Sequence, residues 1–270
     1  MNYQLIKEIQ GDLKAVVREE IVSYFRALST RKMKLPRHNF VIFTQGRTGS
    51  NLLRNLLNSH PNIFCIKDPF VRWHIKVLFP KLHIRGRLAK YSKRATVCGL
   101  LLHDVHLNFQ KIAHKEILSY FYNQDWKIIH LRRANFFNQI VSARFAFSHR
   151  QWHYRSATDC ESIRSKNISI NPTEMIQLLE EREARYLKER EMMAQFPHLE
   201  IVFEEDLSTA EQHQQTVDKI CDYLGMPSAP IQTDMMKTPR KTEKLLQNYE
   251  ELAAFLKNTR YAHFLEMNCN

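Results

Sequence analysis

Residues 40–53 read Phe-Val-Ile-Phe-Thr-Gln-Gly-Arg-Thr-Gly-Ser-Asn-Leu-Leu. Their types and spacing suit one task, holding a phosphate. The apolar, β-branched run predicts a buried strand, and Leu52, Leu53, Leu56 and Leu57 recur at helical spacing behind it. Between strand and helix lie Gly46, Arg47, Thr48, Gly49, Ser50 and Asn51. Glycines let the backbone curl so that several N–H groups point inward. A helix start adds further N–H groups and the positive end of its dipole. Arg47 supplies charge where a nucleotide kinase would use lysine. The plainer alternative is a turn followed by a helix that Ser50 or Asn51 caps. The Walker spacing is not met, because no lysine follows Gly49, and no Mg²⁺-holding aspartate stands at the end of an apolar strand. An ordinary ATPase or kinase is therefore disfavoured.

The Gly-Arg-Thr-Gly-Ser-x-Leu-Leu form resembles the 5′-phosphosulfate loop of sulfotransferases that use 3′-phosphoadenosine 5′-phosphosulfate (PAPS). It looks like the branch containing bacterial carbohydrate enzymes and the Golgi glycosaminoglycan enzymes. Three further blocks follow in the family's order. Residues 54–70 end in Lys67-Asp68-Pro69-Phe70, where the family has an acid, usually Glu. Residues 128–142, Ile-Ile-His-Leu-Arg-Arg-Ala-Asn-Phe-Phe-Asn-Gln-Ile-Val-Ser, resemble its 3′-phosphate segment. Residues 240–261, with Lys241-Thr242-Glu243, Asn248-Tyr249-Glu250-Glu251-Leu252 and Thr259-Arg260-Tyr261, resemble its C-terminal segment. Together the blocks cover roughly residues 39–265.

The resemblance implies transfer of a sulfuryl group from PAPS to a hydroxyl or amine of a small-molecule or carbohydrate acceptor. No metal is demanded, since arginine, lysine and backbone N–H groups can stabilise the departing phosphate. Arg47, with Thr48, Gly49, Ser50 and Asn51 around it, then takes the 5′-phosphate end. Arg133 and Ser142 take the 3′-phosphate, with Arg240 and Lys241 as a third contact. Arg132, of opposite facing, is expected to pair with an acid. Asp68 stands where the family keeps its general base, although it is one methylene shorter than Glu. Read without the resemblance, Asp68-Pro69 suits the cap and first position of a helix. His103 and His106, just past the third expected strand, are the other base candidates, as in cytosolic sulfotransferases. Trp152 and His153 resemble a family feature in an acceptor-site loop.

These residues need a frame. Strands are expected at 40–44, 62–66, 96–102, 126–131 and 199–204. Helices are expected at 51–59, 70–79, 109–122, 134–148, 173–195 and 210–224. Their alternation implies one α/β domain of P-loop-like form, with a parallel sheet of about five strands flanked by helices. Ligands of such sheets bind outside the carboxyl ends of the strands, where residues 45–50 and Arg132-Arg133 would both sit. Residues 39–270 form this domain. Residues 1–38 form an N-terminal amphipathic helix, over 4–28, and a basic connector. The helix is expected to pack on the core or on a second copy in a homodimer, rather than on a membrane. Residues 81–94 carry six basic side chains and no acid, which reads as a solvated loop or an anion-docking surface. Residues 149–171 read as a lid or acceptor loop.

The 270 residues carry 40 basic and 28 acidic side chains, a net charge of +12 that favours an anionic partner without choosing one. No aromatic-interleaved RNA motif accompanies the charge, so nucleic acid is not expected. Five cysteines without a C-x-x-C pair read as buried thiols of a reducing compartment. With no run of 18 apolar residues and no signal peptide, a cytoplasmic enzyme is expected. Competing readings are a P-loop small-molecule kinase and a non-catalytic nucleotide-binding protein.

Overall fold

A computed structural model describes residues 3–29, 38–71, 76–91, 96–149, 167–232 and 242–267. Five strands form one all-parallel sheet: β1 (His38–Thr44), β2 (Ile63–Ile66), β3 (Val97–His103), β4 (Lys127–Arg132) and β5 (His198–Val202). Their spatial order is β2-β3-β1-β4-β5: β1 is central, the chain runs from it out to the edge at β2, and it returns through β3 past β1 to β4 and β5. The α/β class, the parallel sheet and its five strands match the expectation from sequence.

Alternation along β1 decides what covers each face. Phe40 and Ile42 point to one side, where α2 (Ser50–Ser59) and α8 (Ala210–Leu224) cover them. Val41 and Phe43 point to the other. There they meet α3 (Pro80–Ala89), α4 (Asp104–Gln110), α5 (His114–Tyr122) and the end of α7 (Pro172–Met193). Both phenylalanines are fully buried, worth roughly 1.5–3 kcal/mol each. A third cluster joins α6 (Phe136–His149) and the start of α7 to α9 (Tyr249–Lys257) and α10 (His263–Glu266).

Two expected elements differ. No helix occupies the described residues between 70 and 79; it runs over Pro80–Ala89, inside the segment expected as a basic loop. Pro80 suits a first helical position, and His83, Ile84, Gly86 and Leu88 face inward while Lys81 is exposed. The helix expected over 109–122 is two, because Lys111 adopts φ 57° and ends α4. Apolar residues keep helical spacing across that break, so periodicity alone ran through it.

The N-terminal helix α1 (Tyr3–Ser29) lies against α3. Glu19 pairs with Arg87. Glu20 is buried and accepts from the Tyr24 hydroxyl and, at 2.8 Å, from Leu78 N–H. The closest approach is at Gly86, where an added Cβ would lie 1.8 Å from the Ser23 carbonyl oxygen. Gly86→Ala should therefore destabilise. Alanine favours a helix by up to about 1 kcal/mol over glycine, but here its methyl meets immovable backbone, and overpacking costs about 1–3 kcal/mol. A thermal melt checks the sign; a variant more stable than the parent would mean that α1 is not seated on α3.

Candidate functional site

The loop after β1 is held by its own hydroxyls and by α6. The Thr44 hydroxyl donates to Leu131 O at 2.7 Å and lies 2.5 Å from the Thr48 hydroxyl, which also reaches Gln45 O at 3.1 Å. Thr48 is thus turned inward, and its hydroxyl is committed to the loop rather than to a ligand. Gln139 donates to Gly46 O at 2.7 Å, and Arg133 Nη1 to Arg47 O at 3.4 Å. The loop's carbonyls are in this way engaged from the protein side.

Arg47 has φ 65°, a left-handed conformation that costs a non-glycine residue of order 1 kcal/mol or more. Its Nε donates to Ser142 Oγ at 3.0 Å, so two residues 95 positions apart meet. Gly49 is also left-handed, at φ 86°, and an added Cβ would strike the Phe203 ring at 2.5 Å. Gly49 is itself the N-cap of α2, and no side chain caps the helix. The plainer reading, a helix capped by Ser50 or Asn51, does not hold.

Beside the loop sits a buried carboxylate. Asp68 follows β2 and is 3 % exposed. Its Oδ1 accepts from Phe70 N–H at 2.7 Å; no helix starts at Pro69. Its Oδ2 accepts from His103 N–H at 2.8 Å and contacts His103 Nδ1 at 3.0 Å and His106 Nδ1 at 2.8 Å. The other nitrogen of His103, Nε2, lies 3.0 Å from Ser50 Oγ. A line of contacts therefore runs from Asp68 through His103 to Ser50, joining the ends of β2, β3 and β1. Burial alone would raise the Asp68 pKa. Hydrogen bonds from both imidazoles, and their electrostatic attraction, outweigh it and hold the carboxyl well below its usual range. Asp68 is an anion with both oxygens engaged. His103 carries a bare ring nitrogen toward the loop when Nδ1 holds the proton.

These groups are also of metal-ligating type, with ligand atoms within 4.8 Å of one another. All three contacts to Oδ2 have hydrogen-bond lengths, and one comes from a backbone N–H that no cation can replace. His130, His198 and Glu200 form a second such group. There Glu200 Oε1 is held by Arg132 Nη2 at 3.0 Å, a cation already in place.

On the α6 side, Arg133 Nε donates to Glu204 Oε1 at 3.1 Å. Glu204 also accepts from Ala134 N–H at 2.8 Å and Asn135 N–H at 3.2 Å. It lies in a short π-helix, Phe203–Leu207, directly after β5. Arg133 sits over the Phe203 ring, 4.8 Å from its centroid. Arg132 pairs with Glu200, the acid partner expected for it.

Beneath the loop lies a network that sequence reasoning missed. Gln45 donates to Glu189 of α7 and accepts from Arg182 of the same helix. Glu189 also contacts His130 Nε2 at 2.5 Å. A signal was present: Glu189 lies on the inward stripe of α7 with Met175, Leu179 and Met193. An acid on an apolar stripe asks for a buried partner. Glu204 carried no such signal, because its role arises only when β5 pairs with β4.

Of the residues proposed from sequence, Arg47, Ser142 and Arg133 come together, as do Ser50, Asp68, His103 and His106, and both groups border the 46–50 loop. Trp152, His153, Arg240 and Lys241 lie outside the described residues.

Asp68 should reveal itself in acid. Its folded-state pKa lies below the unfolded value of about 3.9. The stability it contributes is full above that value and lost as pH falls through the folded one. Asp68→Asn should destabilise the protein at pH 7 by about 1–3 kcal/mol, because one amide N–H must face another donor. The variant should also melt with a flatter acid limb. An unchanged melt at both pH 7 and pH 3 would show that the charge is not what holds this cluster.

No protein-family model matches the chain, and neither does any curated protein.

Proposed function

We propose that this chain is a PAPS-dependent sulfotransferase acting on a hydroxyl or amine of a small-molecule or carbohydrate acceptor. One observation carries the reading. The Asp68–His103–Ser50 line aims an oriented imidazole at a strand–loop–helix turn built like a phosphate cradle. The donor set fits the nucleotide. The helix start lacks a side-chain cap, Arg47 projects from the turn, and Arg133 and Ser142 adjoin it. PAPS, when bound, supplies the sulfuryl group and a phosphate that leaves with the charge.

The protein's own residues do the rest. Arg47 and the N–H groups at the start of α2 hold the phosphate end and neutralise its growing charge. Arg133, whose Nε Glu204 already holds, and Ser142, which meets Arg47, serve the second anion, the 3′-phosphate that separates PAPS from an ordinary nucleotide. His103 Nε2 accepts the acceptor's proton. Asp68 is a positioning residue: it fixes the His103 ring and tautomer and favours the imidazolium that forms. This reverses the weight that the family motif puts on Asp68. A buried acid with both oxygens engaged is a poor base, whereas the imidazole it orients is a good one.

A second reading rests on the same line. Hydroxyl, imidazole and carboxylate in contact are also the parts of a serine hydrolase. Ser50 is only 5 % exposed and heads the helix, which favours the phosphate-binding role. Labelling of Ser50 by a fluorophosphonate would support the hydrolase instead.

Binding tests the reading first. 3′,5′-Diphosphoadenosine should raise the melting temperature, and AMP and ATP should do much less. Equal shifts with ATP would favour a kinase. EDTA should leave transfer unchanged, and a Mg²⁺-dependent single turnover would contradict the proposed chemistry.

Catalysis tests it next. Arg47→Ala should retain the fold and lower transfer on the order of 10²–10³-fold, the scale of a lost oxyanion donor. His103→Ala should lower it by roughly 10²–10⁴-fold with nucleotide binding preserved, while His106→Ala costs less. If His103→Ala stays active while His106→Ala does not, the base belongs to His106.

A further inference from the structure

Helix α1 buries one face against α3 and leaves another apolar face open. Val17, Ile21, Phe25 and Leu28 recur at spacings of four, four and three, one stripe of a helix, and Phe25 is 70 % exposed. The stripe does not end at the helix. Leu78 and Phe79, 76 % and 60 % exposed, are held against it. Leu78 N–H is bound by Glu20, and Phe79 N–H by the Tyr24 hydroxyl at 2.9 Å. The Tyr24 and Phe79 rings meet edge to face with centroids 5.6 Å apart. Six large apolar side chains thus form one patch. Patches of this kind mark a surface that something covers.

The charges say what covers it. Lys14 and Arg18 line the same surface as Val17, Ile21 and Val22. Both acids among the described side chains of α1 have partners in the domain, the half-exposed Glu19 in Arg87 and the buried Glu20 in Tyr24 and Leu78. Lys14 and Arg18 therefore give the rim of the patch its positive charge. In the sequence, Arg31, Lys32, Lys34 and Arg37 follow the helix closely. A second copy docked stripe to stripe would bring Lys14 and Arg18 of the two copies together, while Glu19 and Glu20 are already engaged with Arg87, Tyr24 and Leu78. A surface that offers hydrocarbon below and negative charge above meets both features at once.

We propose that the α1 stripe, with Leu78 and Phe79, seats the protein on an anionic lipid bilayer. Phe25, Ile21 and Leu28 enter the headgroup–acyl boundary, while Lys14 and Arg18 meet lipid phosphates. No described helix is long and apolar enough to cross a membrane, so the attachment is peripheral. The inference rests on the α1 surface with Leu78 and Phe79 and is independent of the reaction assigned above.

Co-sedimentation of the full chain with vesicles tests it. Vesicles of phosphatidylcholine with about one third phosphatidylglycerol should pellet the protein at least tenfold more strongly than phosphatidylcholine alone. That preference should fall steeply as salt shortens the Debye length from about 10 Å to about 3 Å. Ile21→Ser with Phe25→Ser should abolish pelleting, as should Lys14→Glu with Arg18→Glu. All four positions are exposed, and an unchanged melting temperature shows that the variants fold. Three results would overturn the proposal. Wild-type protein could fail to pellet with anionic vesicles, or pellet equally with neutral ones. Pelleting could survive both pairs of substitutions. The serine pair could instead dissolve a dimer, seen by analytical ultracentrifugation, of a protein that ignores lipid; the stripe would then belong to a second copy.

Discussion

A carboxylate placed where water cannot reach must collect donors from the chain around it. Asp68 does so from three directions. Its donors lie on the segment after β2, at the end of β3 and on α4, so the charge fastens the carboxyl ends of two strands together. Through His103 it reaches Ser50 and therefore the loop of a third. Removing an ion's hydration costs several kcal/mol, and only a full set of hydrogen bonds offsets that. The geometry around Asp68 is consequently tight, and the orientation of His103 is its by-product. The stability of the sheet's carboxyl edge and the aim of the imidazole are one arrangement.

The opposite side of the loop uses the same device twice. Glu204 gathers two backbone N–H groups and Arg133 at the turn into α6. Glu189 takes Gln45 and His130 beneath the loop. Asp68, Glu189 and the half-buried Glu204 thus each hold one approach to the 45–50 turn. The left-handed Arg47 persists because the residues around it, Ser142 and Arg133 among them, over-determine its position. Phe203 packs on Gly49 and under Arg133, so β5 braces the turn although it lies two strands away from β1.

The same inward commitment of acids shapes the outer surface. On α1 Glu19 and Glu20 pair with the body of the domain, and Lys14, Arg18 and the apolar stripe face outward among the described side chains. Gly86 lets α1 approach α3 closely enough for those pairs to form. What α1 presents to its surroundings is thus decided by how it is held on its other side.

Local pattern was enough for the sheet. Apolar runs of four to seven residues separated by helical spacing leave one architecture, and every strand lies within a few residues of its expected place. The turn at 45–50 was legible for the same reason, since glycines, a hydroxyl series and an arginine between strand and helix form a contiguous signal. Residues far apart in the chain were another matter. That Arg47 meets Ser142, that His103 stands between Asp68 and Ser50, and that Glu204 holds Arg133 all depend on strand order. Alternation along a strand does not reveal its neighbour. Asp68 shows the difference most plainly. In sequence it is an acid before a proline, equally suited to a cap or a base. Only burial, with three nitrogens around one oxygen, makes it a fixed anion that orients the imidazole beside it.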